Sequence, residues 1–281
     1  MAAGDIVVVH ENAAAKKGNY FEGTDDYVLH DAHAVARVGA NDTVGTYTAW
    51  IYADDITVSK CILSAGDNDS ANEYLNFWIV AGLLKIKLRH GGATQFEVQQ
   101  TAATMESKKW YHVAVVQNGT QPALYIDGEA VATTNATATD LTYWYDELTG
   151  CDKFAIGVLE SNNTHTNDWK GAIGPVRYYA TNLTAAEVLE VSKGNTTLTT
   201  DTVRQAVLDT ALVFNVTYEN DGTTDSGSGA DDGTLTGGAI YGGEISDWSY
   251  KINQNVTGHA AEFINTVIDG NKFRTLIKRG D

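Results

Sequence analysis

Residues 143–147, YWYDE, set Tyr143, Trp144 and Tyr145 side by side in an otherwise polar stretch, and Trp78 and Trp169 fall near other strand ends. Aromatic faces of this kind stack on sugar rings, so these residues are the candidate glycan-binding set. The competing reading is that they close the open end of a core. Hard oxygen donors crowd the turns at Asp67-Asn68-Asp69, Asp225-Ser226 and Asp231-Asp232-Gly233. Calcium takes roughly six to eight such ligands, which makes Asp67, Asp69, Asp225, Asp231 and Asp232 its candidate ligands. The plainer reading is that Asp and Asn serve turn geometry there. Nucleophilic and zinc chemistry find little footing: no G-x-S-x-G elbow occurs, and Cys61 and Cys151 lack zinc-site spacing with histidine. These two cysteines read either as buried free thiols or as a pair across neighbouring strands. His112 lies mid-strand, where a structural role outweighs that of a general base, and the chain reads as non-catalytic.

The elements that would position these groups are mostly strands. In 110–116, Trp110, His112, Ala114 and Val116 share one face and Tyr111, Val113 and Val115 the other, a period of two rich in β-branched and aromatic residues. Residues 123–126 form the next strand, and Asp127-Gly128 signals a tight turn. Further strands are expected at 6–9, 20–30, 46–53, 61–65, 75–80 and 83–90, the last turning at Gly91-Gly92 into 96–99. Thr184 as N-cap with Glu187 three residues later predicts a helix ending near Gly194. A second helix is expected over 202–210, with Val203, Ala206 and Val207 spaced at three and four.

WYHVAVV followed by LYIDGEAVA resembles the central hairpin of laminin-G-like domains in the concanavalin A-like lectin/glucanase jelly-roll superfamily. Residues 20–30, YFEGTDDYVLH, are similar to that family's opening strand. Residues 154–188 resemble its closing strands and short helix. The resemblance spans 20–195 and implies an all-β antiparallel jelly-roll sandwich. Residues 211–238 resemble the stretch that ordinarily precedes the opening strand, yet here they follow the closing ones. A truncated second repeat would leave about 45 residues, too few for another sandwich, so the chain reads as circularly permuted. Leu212, Phe214 and Val216 are then expected beside strand 20–30 or its neighbour. The expected organisation is an N-terminal arm over 1–19, the sandwich over 20–243 and a C-terminal docking tail over 244–281. The glucanase branch of the superfamily carries paired carboxylates as E-x-D-x-x-E. The nearest run here, Glu244-Ile245-Ser246-Asp247, lacks that spacing. In related domains an Asp in the closing strand helps to hold calcium; Gly174 stands in its place, which weakens the expected site.

A net charge of −17, from 36 acidic against 19 basic residues, argues against nucleic-acid or anionic-membrane partners. No run approaches the ~20 apolar residues of a membrane span. Asp5 precedes only four apolar residues, 6–9, so no secretory signal is read at this end; the expectation is work where the protein is made, release by lysis, or another export route. Ile6 and Val8, with Phe263, Ile264, Val267, Phe273 and Ile277, supply apolar surface expected to dock on another subunit. The leading expectation is a structural surface protein of a virus particle: a capsid decoration, fibre or tail component. It would form homo-oligomers, join other virion subunits at the virion surface and bind host glycans. The alternative is an extracellular carbohydrate- or matrix-binding module.

Overall fold

The computed structural model describes residues 6–10, 16–217, 223–229, 232–236, 240–245, 261–268 and 271–278, with side chains over 18–217, 223–229 and 232–236. Asp231 and Asp247 lie outside the described residues. The strands begin with β1 (Ile6–His10), β2 (Lys16–Glu22) and β3 (Tyr27–Leu29), and helix α1 (Asp31–Ala40) follows. Next come β4 (Gly45–Ala53), β5 (Lys60–Gly66), β6 (Tyr74–Val80), β7 (Leu83–His90) and β8 (Ala93–Gln100). β9 (Trp110–Gln117), β10 (Pro122–Ile126), β11 (Glu129–Ala130), β12 (Thr133–Ala138) and β13 (Lys153–Ile156) continue the chain. β14 (Leu159–Ser161), β15 (Thr164–Thr166) and β16 (Lys170–Tyr179) lead to α2 (Ala185–Ser192) and α3 (Thr202–Ala211). β17 (Leu212–Val216), β18 (Thr234–Thr236), β19 (Ile240–Ile245), β20 (Ala261–Ile268) and β21 (Asn271–Lys278) complete it.

The chain divides into two compact units, one over 18–241 and one made by 1–17 with 242–281. The larger is an antiparallel sandwich. Its first sheet runs β11-β10-β9-β4-β16-β2, and its second β12-β8-β7-β6-β5-β13-β3-β18. Alternation sorts the side chains. Tyr47, Ala49 and Ile51 from β4 and Val113 and Val115 from β9 meet Leu75, Phe77, Ile79, Ile86 and Phe96 in one core cluster. On the outer face of the first sheet, Ala114 and Val116 form a second apolar layer with Val188 and Val191 of α2 and Leu208 of α3. The predicted capping box opens α2: Glu187 N donates to Thr184 Oγ1, and Thr184 N donates to Glu187 Oε2 at 2.8 Å.

β17 takes the place that circular permutation requires. It pairs with Val176–Tyr179 of β16, while β2 pairs with Lys170–Ile173 of the same strand. Two segments distant in sequence thus cover one strand, and Phe214 and Val216 complete the core. Two expectations are corrected. The strand expected over 20–30 is broken: Gly23 and Asp25 take positive φ, and Glu22 N donates to Asp26 Oδ2 at 2.5 Å, closing a loop between β2 and β3. Residues 31–40 then form a helix that the sequence reading left out. In the smaller unit the chain ends pair with each other: β21 lies between β1 and β20, with Ile6 opposite Ile277 and Phe263 opposite Leu276. The proposed docking residues Ile6, Val8, Phe263, Ile264, Val267, Phe273 and Ile277 therefore all lie on strands of this sheet.

At one end of the sandwich α1 seals the core through a buried polar chain. His33 Nε2 meets Tyr47 Oη at 2.7 Å, and Tyr47 Oη meets Tyr145 Oη at 2.5 Å. Trp144 Nε1 donates to Tyr178 Oη at 3.1 Å, and Tyr178 Oη donates to Asp42, which also pairs with Arg37. Burial, then the nearby positive charge of Arg37, holds the His33 imidazole well below its ordinary value. The unfolded chain consequently binds a proton that the folded chain refuses. Folding stability is full above about pH 6.5 and is expected to fall as pH drops below it, by up to about 1.4 kcal/mol per unit. Denaturant melts between pH 7 and 5 check this: a His33→Gln variant should show a flatter pH dependence over that window.

Candidate functional site

The outer face of the second sheet carries a concentration of half-buried aromatic and charged side chains. In β6, Leu75, Phe77 and Ile79 point into the core; in β7 Leu84, Ile86 and Leu88 do so, and in β8 Phe96 and Val98. Alternation then turns Tyr74 and Trp78, Lys85, Lys87 and Arg89, and Glu97 and Gln99 outward; Asn76 shares their face of β6 but is buried, accepting from Cys61 Sγ. Register aligns them in rows: Trp78–Lys85–Gln99, Asn76–Lys87–Glu97, and Tyr74–Arg89. The floor extends about 13 Å along β6 and about 10 Å across the three strands. Lys85 Nζ lies 6.0 Å from the Trp78 ring centroid, and Lys87 Nζ 5.7 Å from that of Tyr74. Lys85 also pairs with Glu97 at 3.3 Å.

A wall bounds this floor on the β5 side. The hairpin β14–β15 lies across β5, where Ser64 Oγ donates to Val158 O at 2.9 Å and accepts from Glu160 N at 3.0 Å. Gly66 permits the approach, because a Cβ there would run into the Glu160 carbonyl. The hairpin is fastened by Glu160 and His165, whose Nε2 meets the Glu160 carboxyl, and His165 packs on Tyr27. Burial raises the Glu160 carboxyl above its usual range. Across the floor, β12 forms the opposite margin, with a register shift between Asn135 and Thr137.

A family model named Laminin_G_3, described as the concanavalin A-like lectin/glucanases superfamily, matches residues 22–189, more than half of the chain. The chain belongs to this superfamily. The Laminin_G_3 domain is similar to the CBM40 of Ruminococcus gnavus IT-sialidase, at 16% identity and TM-score 0.48, over 66% of this chain and 98% of that one. The same module bound to α2,3-sialyllactose matches at 16% identity and TM-score 0.49, with the same coverage. NanB sialidase from Streptococcus pneumoniae matches at 13% identity and TM-score 0.52, over 64% of this chain but only 28% of that one. At these identities the likeness shows the fold. No curated protein matches the chain by sequence.

Within the Laminin_G_3 domain the expected sugar platform is dispersed. Trp144, Tyr145 and Trp169 are fully buried and present no ring face to a ligand. The hydroxyl and indole of the YWYDE run find partners inside, so this polar-looking segment is core. Tyr143 is half-buried, edge-on to His90 at 5.6 Å. Of the candidate set, Trp78 alone lies on the floor. Its neighbours there were legible in the alternation of 83–90, which places Lys85, Lys87 and Arg89 on one side. Cys61 and Cys151 are free and buried; Cys61 Sγ donates to Asn76 Oδ1 at 3.0 Å, and burial pushes both thiols well above their usual range. His112 is buried edge-on against Trp50.

The acidic turns hold backbone. Asp67 Oδ1 accepts from Asp69 N at 2.8 Å, and Asp225 N donates to Asp232 Oδ1 at 3.0 Å. Asp225 Oδ1 accepts from the main-chain N–H groups of Asn215 and Gly227, both at 2.7 Å. Among the described residues no three His, Cys, Asp or Glu side chains are gathered into one cluster, and the contacts just given tie Asp67, Asp225 and Asp232 to the main chain of their own turns. Asp225→Ala should therefore cost about 1–3 kcal/mol, the penalty of orphaning buried amides. A melting scan with excess chelator separates the two readings of these turns: a lowered midpoint would support bound calcium, and an unchanged midpoint would leave the acidic side chains as supports of the backbone.

Proposed function

We propose that this chain is a non-catalytic carbohydrate-binding module that holds glycans on the outer face of β6, β7 and β8. The observation that carries the reading is the outward set itself, in which Tyr74 and Trp78 share one face of β6, with the cations of β7 beside them and the amides and carboxylate of β8 beyond. Such a surface combines ring faces for stacking with donors and acceptors for hydroxyls. Membership of a superfamily described by its lectins and glucanases supports it. Glycan-array screening followed by calorimetry tests it. Replacing Tyr74 and Trp78 together by Ala should weaken the best glycan at least about tenfold, about 1.4 kcal/mol. Trp144→Phe should lower the melting temperature and leave affinity intact. Unchanged binding in the double variant would contradict the proposal.

A second reading, that the module is displayed on a larger assembly such as a virus particle, is favoured by one observation. Strands from both ends of the chain, β1, β20 and β21, form one three-stranded sheet. A three-stranded sheet gains stability when an apolar face is covered, and another subunit would supply such a cover. Light scattering on the full chain should then give a defined oligomer; a monomer at all concentrations would contradict this reading.

A further inference from the structure

We infer that the β6–β8 floor selects glycans bearing an acidic group, a carboxylate or a sulfate, with Arg89 and Lys87 receiving the anion and Tyr74 and Trp78 stacking on the sugar. The inference rests on the proposed glycan site and names its ligand class. Its starting point is a local reversal of charge. The chain as a whole carries −17, yet every charged side chain that β7 turns outward is a cation: Lys85, Lys87 and Arg89. Three cations face one carboxylate of β8, Glu97, and that carboxylate reaches Lys85. Two positive charges are left on the floor.

The carboxylates at the Tyr74 end are also engaged: Asp67 accepts from Asp69 N at 2.8 Å and Asp152 from Asn68 N at 2.9 Å. Glu73, next to Tyr74 in the chain, accepts from Gly150 N at 2.7 Å through Oε2 and faces His90 through Oε1. Among the described residues Lys87 and Arg89 have no carboxylate partner, and the Arg89 Nε is enclosed without an acceptor. Both side chains are half-buried, where a charge gains more from an anion than it does in open water. Both converge on Tyr74: Lys87 lies over its ring and Arg89 stands opposite it in register. A guanidinium presents a planar fork that matches a carboxylate or sulfate through parallel N–H donors, whereas a lysine acts as a point charge. Arg89 is therefore the specificity-determining residue and Lys87 its support. A neutral sugar leaves both cations half-desolvated and unpaired.

Matched oligosaccharides separate the two levels of the argument. Titrations of the full chain would use pairs differing only in one acidic group: a uronate against its neutral hexose, and a sulfated ring against its unsulfated form. The acidic member should bind at least about tenfold tighter, about 1.4 kcal/mol. Arg89→Gln should erase most of that preference, and Arg89→Lys should restore part of it. Arg89→Gln should bind the neutral member no more weakly than the native chain does, and an unchanged melting temperature reports that the fold is intact. Equal affinities within each pair, or an inert Arg89→Gln, would overturn this inference and leave the glycan site standing. Binding by neither member, with an array that is blank throughout, would overturn the glycan site itself.

Discussion

A strand whose alternate residues fill a core has no freedom in what it shows on the other side. In β6, β7 and β8 the inward set is Leu75, Phe77, Ile79, Leu84, Ile86, Leu88, Phe96 and Val98, nearly all of it out of contact with water. Each such side chain is worth about 1.5–3 kcal/mol when buried. A slip of one residue would exchange the set for one that includes Lys85, Lys87, Arg89 and Glu97, charges that a packed interior does not accept unpaired. The core thus fixes the register, and the register fixes the outward rows. The site is the reverse side of the hydrophobic core, set by the same constraint.

The rest of the molecule holds that sheet in place. The inward half of the first sheet supplies the other wall of the core, and α2 and α3 cover part of its outer face. The closing contact lies around Tyr47, where His33 of α1, Tyr145 of the 139–152 connection and Tyr178 of β16 meet. Buried phenols and indoles are tolerated there because they pair with one another, and a chain of such bonds is costly to satisfy in part. This explains why three aromatics occur in a row within a segment that reads as loop. On the second sheet the β14–β15 hairpin covers β5 and reaches the near side of β6, where Asn76 is buried, so the accessible part of the outer face is narrower than the sheet.

Much of the architecture was legible. Strands 46–53, 75–80, 83–90 and 110–116 announced themselves by period-two patterning, and α2 by its capping box, because these are local signals. The displaced strand 212–216 was readable from its resemblance and takes its place beside β16. What stayed hidden depends on tertiary partners. The helix 31–40 has an ordinary composition and is held by Phe154 O accepting from His30 N and by burial of His33 and Ala34. The burial of Trp144, Tyr145 and Trp169 could not be read from polar neighbours in sequence. The floor was half visible: the alternation of LLKIKLRH separates its cations from its leucines, but which side a neighbour covers is decided by a hairpin some seventy residues later.

Backbone-amide NMR mapping on the full chain, titrated with the glycan that binds most tightly, tests the central claim most directly. The account predicts that the perturbed resonances concentrate in Tyr74–Val80, Leu83–His90 and Ala93–Gln100. Perturbations centred on 139–147, or on the outer face of β4 and β9, would contradict it and move the site to the loop end or to the opposite sheet.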